Sequence, residues 1–133
     1  MLAEQIHIPL IAAGGIATGR GMLAAMVLGA DAVQIGSRFV ASEESSAHQA
    51  FKKLVVDSKE GDTQLTLKEL APVRLIKNKF YSDVQELYKT TPSVDQLQQL
   101  LGRARAKKGM FEGDLENGEL EIGQVTAMID TIQ

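Results

Sequence analysis

Residues 8–36 read as strand, helix, strand, and that order restricts the chain to few folds. Two short apolar runs bracket the segment: Ile8-Pro9-Leu10-Ile11-Ala12-Ala13 and Ala32-Val33-Gln34-Ile35-Gly36. Neither alternates cleanly with polar residues, which is how strands buried on both faces of a parallel sheet read. Between them lies Arg20-Gly21-Met22-Leu23-Ala24-Ala25-Met26-Val27-Leu28, a good helix former that is apolar on most faces. Gly29 comes next, where a left-handed helix end is expected. Two parallel strands need a crossover, and a helix supplies it. The segment is therefore a βαβ unit of an α/β fold. With so little polar surface, its helix is expected to pack on the sheet and also on neighbouring elements. Met22 and Met26, four residues apart, are expected in the core.

The composition shifts near residue 50. Residues 1–41 are dense in Ala, Gly, Ile and Val, whereas 42–133 are richer in Lys, Glu, Gln and Leu and read as helices with loops. Ser42, followed by two glutamates, predicts an N-cap, with a helix over 47–56. Glu60-Gly61-Asp62 is a turn. Pro72 predicts the start of a short helix with Val73, Leu75, Ile76 and Phe80 inward. Thr91 and Pro92 predict the cap and first position of a stronger helix, with Leu97, Leu100, Leu101 and Ala104 as its apolar stripe and Gly109 as its end. Gly113-Asp114 and Asn117-Gly118 are turns. A last helix is predicted from about Gly123, with Val125, Met128, Ile129 and Ile132 on one face.

Several function classes fall away. The net charge of −3 gives no bulk attraction to nucleic acid. The absence of cysteine removes disulfide scaffolds and thiolate metal sites. No apolar run approaches the roughly 18 residues of a membrane span, and residues 1–13 lack a secretory signal layout, so the cytoplasm is the expected location. Gly14 to Gly19 has the glycine spacing of a P-loop, but Arg20 and Gly21 stand where Lys and Ser/Thr are required. The dinucleotide pattern G-x-G-x-x-G is absent. Glu112, Asp114, Glu116, Glu119 and Glu121 lack calcium-loop spacing and read as a solvated acidic loop, so no metal site is assigned. Arg103, Arg105, Lys107 and Lys108 read as favourable charge at a helix C-terminus.

The chemistry lies at two glycine turns. Ala12-Ala13-Gly14-Gly15-Ile16 ends the first strand, and Gln34-Ile35-Gly36-Ser37-Arg38-Phe39 ends the second. In a parallel sheet both open on the same side. Glycine lets backbone N–H groups approach a ligand, and a helix start beside each turn is expected to add its positive end. Gly14-Gly15 alone reads equally as a tight turn that binds nothing. Two such turns one crossover apart read as a phosphate cup, as in the loops after the last two strands of a (β/α)₈ barrel.

The segments Pro9-Leu10-Ile11-Ala12-Ala13-Gly14-Gly15-Ile16, Leu28-Gly29-Ala30-Asp31 and Gln34-Ile35-Gly36-Ser37-Arg38-Phe39 resemble strands seven and eight of the nitronate monooxygenase family, which includes the flavin-dependent enoyl-acyl-carrier-protein reductase II. Arg74-Leu75-Ile76-Lys77-Asn78, Gly113-Asp114 and Gly118 through Gly123-Gln124 are similar to its C-terminal extension. The resemblance implies the C-terminal portion of a (β/α)₈ TIM barrel, its last two β/α units over residues 1–50, then a mostly helical extension over 51–133 packing on the barrel and its active-site mouth. It implies an FMN phosphate held by backbone amides of Gly14, Gly15, Gly36 and Ser37, with Gln34 and Ile35 lining the same end of the pocket. Gly123-Gln124 is implied to approach flavin or substrate.

Two branches arise from the resemblance: oxidation of alkyl nitronates with O₂, or enoyl reduction with NAD(P)H as reductant and acyl carrier protein as partner. The resemblance implies that the flavin-ring contacts and a histidine near the substrate belong to units preceding this region. No catalytic residue is therefore assigned; His7 and His48 read as surface residues. Two barrel strands leave unpaired edges, so a non-catalytic, self-associating fragment is the reading from another class, and a homo-oligomer is expected.

Overall fold

The computed structural model describes residues 4–133. Strand β1 (Ile11–Ala13) and strand β2 (Ala32–Gln34) pair in parallel, with Ile11 opposite Ala32 and Ala13 opposite Gln34. Helix α1 (Gly19–Val27) forms the crossover. Thr18 caps it, its Oγ1 accepting from the Gly21 N–H at 3.1 Å. Beyond its last turn Gly29 takes a φ of 100°, the left-handed position that a side chain would strain. Asp31 then fastens the unit: its carboxylate accepts from the Leu10 N–H at 2.8 Å, and its own N–H donates to the Leu10 carbonyl at 2.8 Å. The predicted βαβ unit is present and parallel.

The cover expected over α1 is not found among the described residues. The helix buries none of its side chains; Leu23 is 62% and Val27 77% exposed. Met22 and Met26, expected in the core, are exposed too. Two short strands cover one strip of a helix that is apolar on several.

The described core instead lies almost wholly beyond residue 40. One cluster joins Ala17 and Ala41 to Phe51, Val55, Ile76, Leu120, Ile122 and Ile129. The other joins Leu67, Leu75, Phe80, Val84 and Leu97. Helix α2 (Ser37–Val40) is a single turn, and α3 (Gln49–Asp57) starts after His48 rather than Ser42. His48 Nδ1 accepts from the Ala50 N–H at 3.1 Å, while the Ser42 hydroxyl donates back to the Phe39 carbonyl.

Residues 63–76 correct the helix predicted after Pro72. Strand β3 (Thr63–Thr66) and strand β4 (Val73–Ile76) form an antiparallel hairpin, and Leu75 bridges to Glu121 on the other edge of β4. Val73 and Ile76 favour a pleated surface, and Pro72 stands just before the strand, where its missing N–H costs no ladder bond. Leu75, Ile76 and Phe80 do point inward, but from a strand and from helix α4 (Lys79–Tyr88).

Helix α5 (Val94–Leu101) starts two residues later than predicted, because Ser93 and Gln96 form a reciprocal capping box. It ends at Gly102 rather than Gly109, so Ala104 lies outside it. Gly109 lies within a π-helical turn, Lys107–Phe111. The last helix shrinks to a 3₁₀ turn, Gln124–Met128, which buries Thr126 and leaves Met128 exposed. No helix among the described residues is long and apolar enough to cross a membrane.

Candidate functional site

Gly14 and Gly15 succeed β1 with φ of 82° and 71°. Two successive left-handed residues are open to glycine and strained for anything larger. A Cβ built on Gly14, Gly15 or Gly36 would meet no atom within 4 Å. These glycines are thus not forced by packing inside the chain; they leave bare backbone facing open space. Parallel pairing in register sets both turns at the same end of the sheet.

The six predicted residues divide between surroundings. Gly15 borders a recess of about 690 Å³ whose other walls include Val56, Lys59, Gln124, Val125 and Ile129. Gly36 and Ser37 border a second, of about 410 Å³, with Arg74 and Gly123. Gly14, Gln34 and Ile35 lie outside both; Gln34 is exposed on β2 and Ile35 half-buried. The turns share one end of the sheet but not one closed cavity. Gly123 and Gln124, adjacent in the chain, line different recesses, Gly123 the second and Gln124 the first.

Ser37 ties the second turn to the C-terminal segment. Its Oγ accepts from the Gly123 N–H at 2.9 Å, across 86 residues of sequence. A hydroxyl that accepts there still carries its own proton, which it can donate. A Cβ on Gly123 would sit 2.7 Å from that oxygen, so glycine is what allows the approach. Arg38, next in sequence, is spent on structure: Nη2 donates to the carbonyls of Ala41 at 2.6 Å and Thr131 at 2.5 Å.

The helix-dipole contribution expected at the second turn fails for want of length. Helix α2 has four residues, too few aligned peptide units to sum to a useful end charge. What the second turn offers is amide and hydroxyl donors.

Arg74 and Lys59 border the second and first recesses and were not singled out by sequence reasoning, although the Arg74 guanidinium is bonded to Thr63 on β3. Arg74 lay within a stretch read as helix, and its place beside the second recess depends on the pairing of β4 with Glu121 and Ile122. Two of the basic residues after α5 have structural work. Arg105 stacks 4.5 Å from the Phe80 ring centroid and donates to the carbonyls of Leu100, Leu101 and Asn117, and Lys107 pairs with Glu112 at 2.9 Å. His7 is exposed and His48 is a helix cap; neither borders either recess.

Comparison with known proteins gives a consistent result. The family model for nitronate monooxygenase matches residues 1–133. A probable nitronate monooxygenase of Staphylococcus saprophyticus is 42% identical over 129 residues, covering 96% of this chain and 36% of that protein. One from Staphylococcus aureus is 34% identical, covering 98% and 37%. Among solved structures, FabK from Thermotoga maritima superposes with a TM-score of 0.87 at 41% identity, covering 99% of this chain and 42% of that one. Nitroalkane oxidase from Streptomyces ansochromogenes gives 0.70 at 31% identity, covering 94% and 35%. The chain spans little more than a third of the curated relatives it matches.

Proposed function

The chain belongs to the nitronate monooxygenase family, and we propose that it forms the C-terminal portion of an FMN-dependent oxidoreductase barrel. Residues 1–50 would be its last two β/α units, and 51–133 an extension over the active-site mouth. One observation carries the reading: Gly14, Gly15 and Gly36 stand at one end of a parallel strand pair, each facing open space. A phosphate oxygen needs N–H donors with no side chain in the way, and these positions supply them.

In this reading the amides of Gly14, Gly15, Gly36 and Ser37, with the Ser37 hydroxyl, hold the terminal phosphate, and Gln34 and Ile35 flank it. Flavin bound there supplies the redox chemistry, oxidation of an alkyl nitronate with O₂. The residues of this chain grip one end of the cofactor and so restrict the poses of its reactive end. The Ser37–Gly123 bond carries that grip into the C-terminal segment, bringing Gln124 to the recess beside Gly15. The complete protein would work on a small-molecule substrate, as a homo-oligomer, in the cytoplasm.

A second reading is enoyl reduction with NAD(P)H as reductant and acyl carrier protein as partner. It is favoured by the higher superposition with FabK than with nitroalkane oxidase. The bare apolar face of α1 favours a third, in which this stretch by itself associates with its own kind and catalyses nothing. Stopped-flow measurement on the complete enzyme separates the first two. The nitronate reading expects flavin reduction by alkyl nitronate and indifference to NADPH with crotonyl thioester; the opposite pattern selects the reductase.

A further inference from the structure

Helix α2 carries the second glycine turn, and alone it is too short to hold its shape. It has four residues, and a single helical turn fixes several dihedrals for very few bonds. The Phe39 and Val40 N–H groups share the Gly36 carbonyl, at 2.9 and 3.3 Å. Gly36 is exposed and has the added freedom of a residue without a Cβ. What fixes the turn must come from elsewhere in the chain.

It comes from residues 131–133. The Arg38 guanidinium donates through Nη2 to the carbonyls of Ala41 and Thr131, joining the end of α2 to a residue 93 positions away. The backbone closes the same join twice more. The Gln133 N–H donates to the Ala41 carbonyl at 3.1 Å, and the Glu43 N–H donates to the Gln133 carbonyl at 2.7 Å. Lys52 on α3, 1% exposed, donates its ammonium to the Glu43 carbonyl at 3.1 Å. Ala41 and Ile129 belong to one core cluster, so both sides of the join are rooted in packed structure. Arg38 follows Ser37 directly, and its side chain ties the turn to that join.

We propose that residues 131–133 are a strap across α2 and that Arg38 is a positioning residue for the anion-binding turn. By holding the Ala41 and Thr131 carbonyls at once, Arg38 sets the direction of the Gly36 and Ser37 amides without touching the ligand. With the strap released, those amides sample many directions, and ordering them falls on ligand binding, which weakens it. The inference rests on the reading of the second glycine turn as a phosphate site.

The test compares FMN with riboflavin, which lacks the phosphate, on the complete enzyme stripped of flavin. Each dissociation constant is read from the change in flavin fluorescence. The wild type is expected to prefer FMN. Arg38→Gln is expected to cut that preference about tenfold or more, the loss of one charge-assisted hydrogen bond, and to leave riboflavin affinity unchanged. Gln133→Pro, which removes the donor to Ala41, is expected to act in the same direction, and Arg38→Lys to restore part of the preference. The Arg38→Gln, Gln133→Pro double variant is expected to lose little more than Arg38→Gln alone, because both changes act on one join. An undiminished preference in Arg38→Gln, or in Gln133→Pro should the first variant not fold, overturns the strap and leaves the glycine turn standing. Equal loss of affinity for both flavins also overturns it, since general loosening weakens both. A wild type that binds riboflavin as tightly as FMN overturns the reading of the turn itself.

Discussion

Single residues set both the openness of the site and the pH response of the fold. Glu119 is buried, and burial is the main reason its carboxyl titrates above the usual range; Glu121 nearby adds to the rise, and Arg105 opposes it. A raised carboxyl pKa means the folded chain binds more protons than the unfolded one between the two pKa values. Stability is therefore lost as pH climbs from the ordinary glutamate value through the raised one. Glu119→Gln removes the buried charge, and its melting temperature is expected to exceed that of the wild type at pH 7 and to match it at pH 4. A variant equally stable or less stable at pH 7 would contradict that account. At the glycine turns the residue scale was legible: Gly14, Gly15 and Gly36 stand bare at the end of a parallel pair. Arg74 was not, because its place depends on pairing with residues far along the chain, at Glu121 and Ile122.

Helix α1 and its glycine end, built from local signals, were legible; the caps of α3 at His48 and of α5 at Ser93, and the elements built from distant partners, were not. Although the Thr18 cap was not read, helix α1 and its Gly29 terminus are specified by neighbours in sequence. The hairpin is not. Strands of four residues have too short a period to distinguish from helix, and β4 owes its shape to β3 on one edge and Glu121 on the other. Asn78 joins the hairpin to α4 and to the 115–118 turn. Its Oδ1 caps α4 through the Tyr81 N–H at 2.9 Å, and its Nδ2 donates to the carbonyls of Leu115 and Gly118, each at 2.9 Å. Asn78→Ala removes the cap and leaves two part-buried carbonyls short of a donor. Chemical denaturation is expected to show a loss of about 2–4 kcal/mol; a loss below about 0.5 kcal/mol, the range of an ordinary surface change, would show that these bonds do not hold the turn.

The whole molecule is unevenly packed. Residues 41–129 contain nearly all of the described core, while the βαβ unit that presents the glycine turns lies open. Covering an exposed Leu or Val stabilises by about 1.5–3 kcal/mol each, so Leu23 and Val27 alone are a strong drive toward a partner surface. In the proposed barrel of β/α units, flanking units would cover α1, in keeping with the share of its relatives that the chain spans. The extension stays attached to the turns through Ser37–Gly123 and through Arg38 to Thr131.

The account turns on bare amides at Gly36 facing a bound phosphate. The most direct measurement is the flavin content of the complete enzyme purified with Gly36→Val, read from the visible flavin spectrum beside the wild type. A valine side chain would occupy the space that the phosphate needs, so the variant is expected to fold and to emerge colourless while the wild type retains stoichiometric FMN. A folded Gly36→Val enzyme that keeps its full flavin content would contradict it.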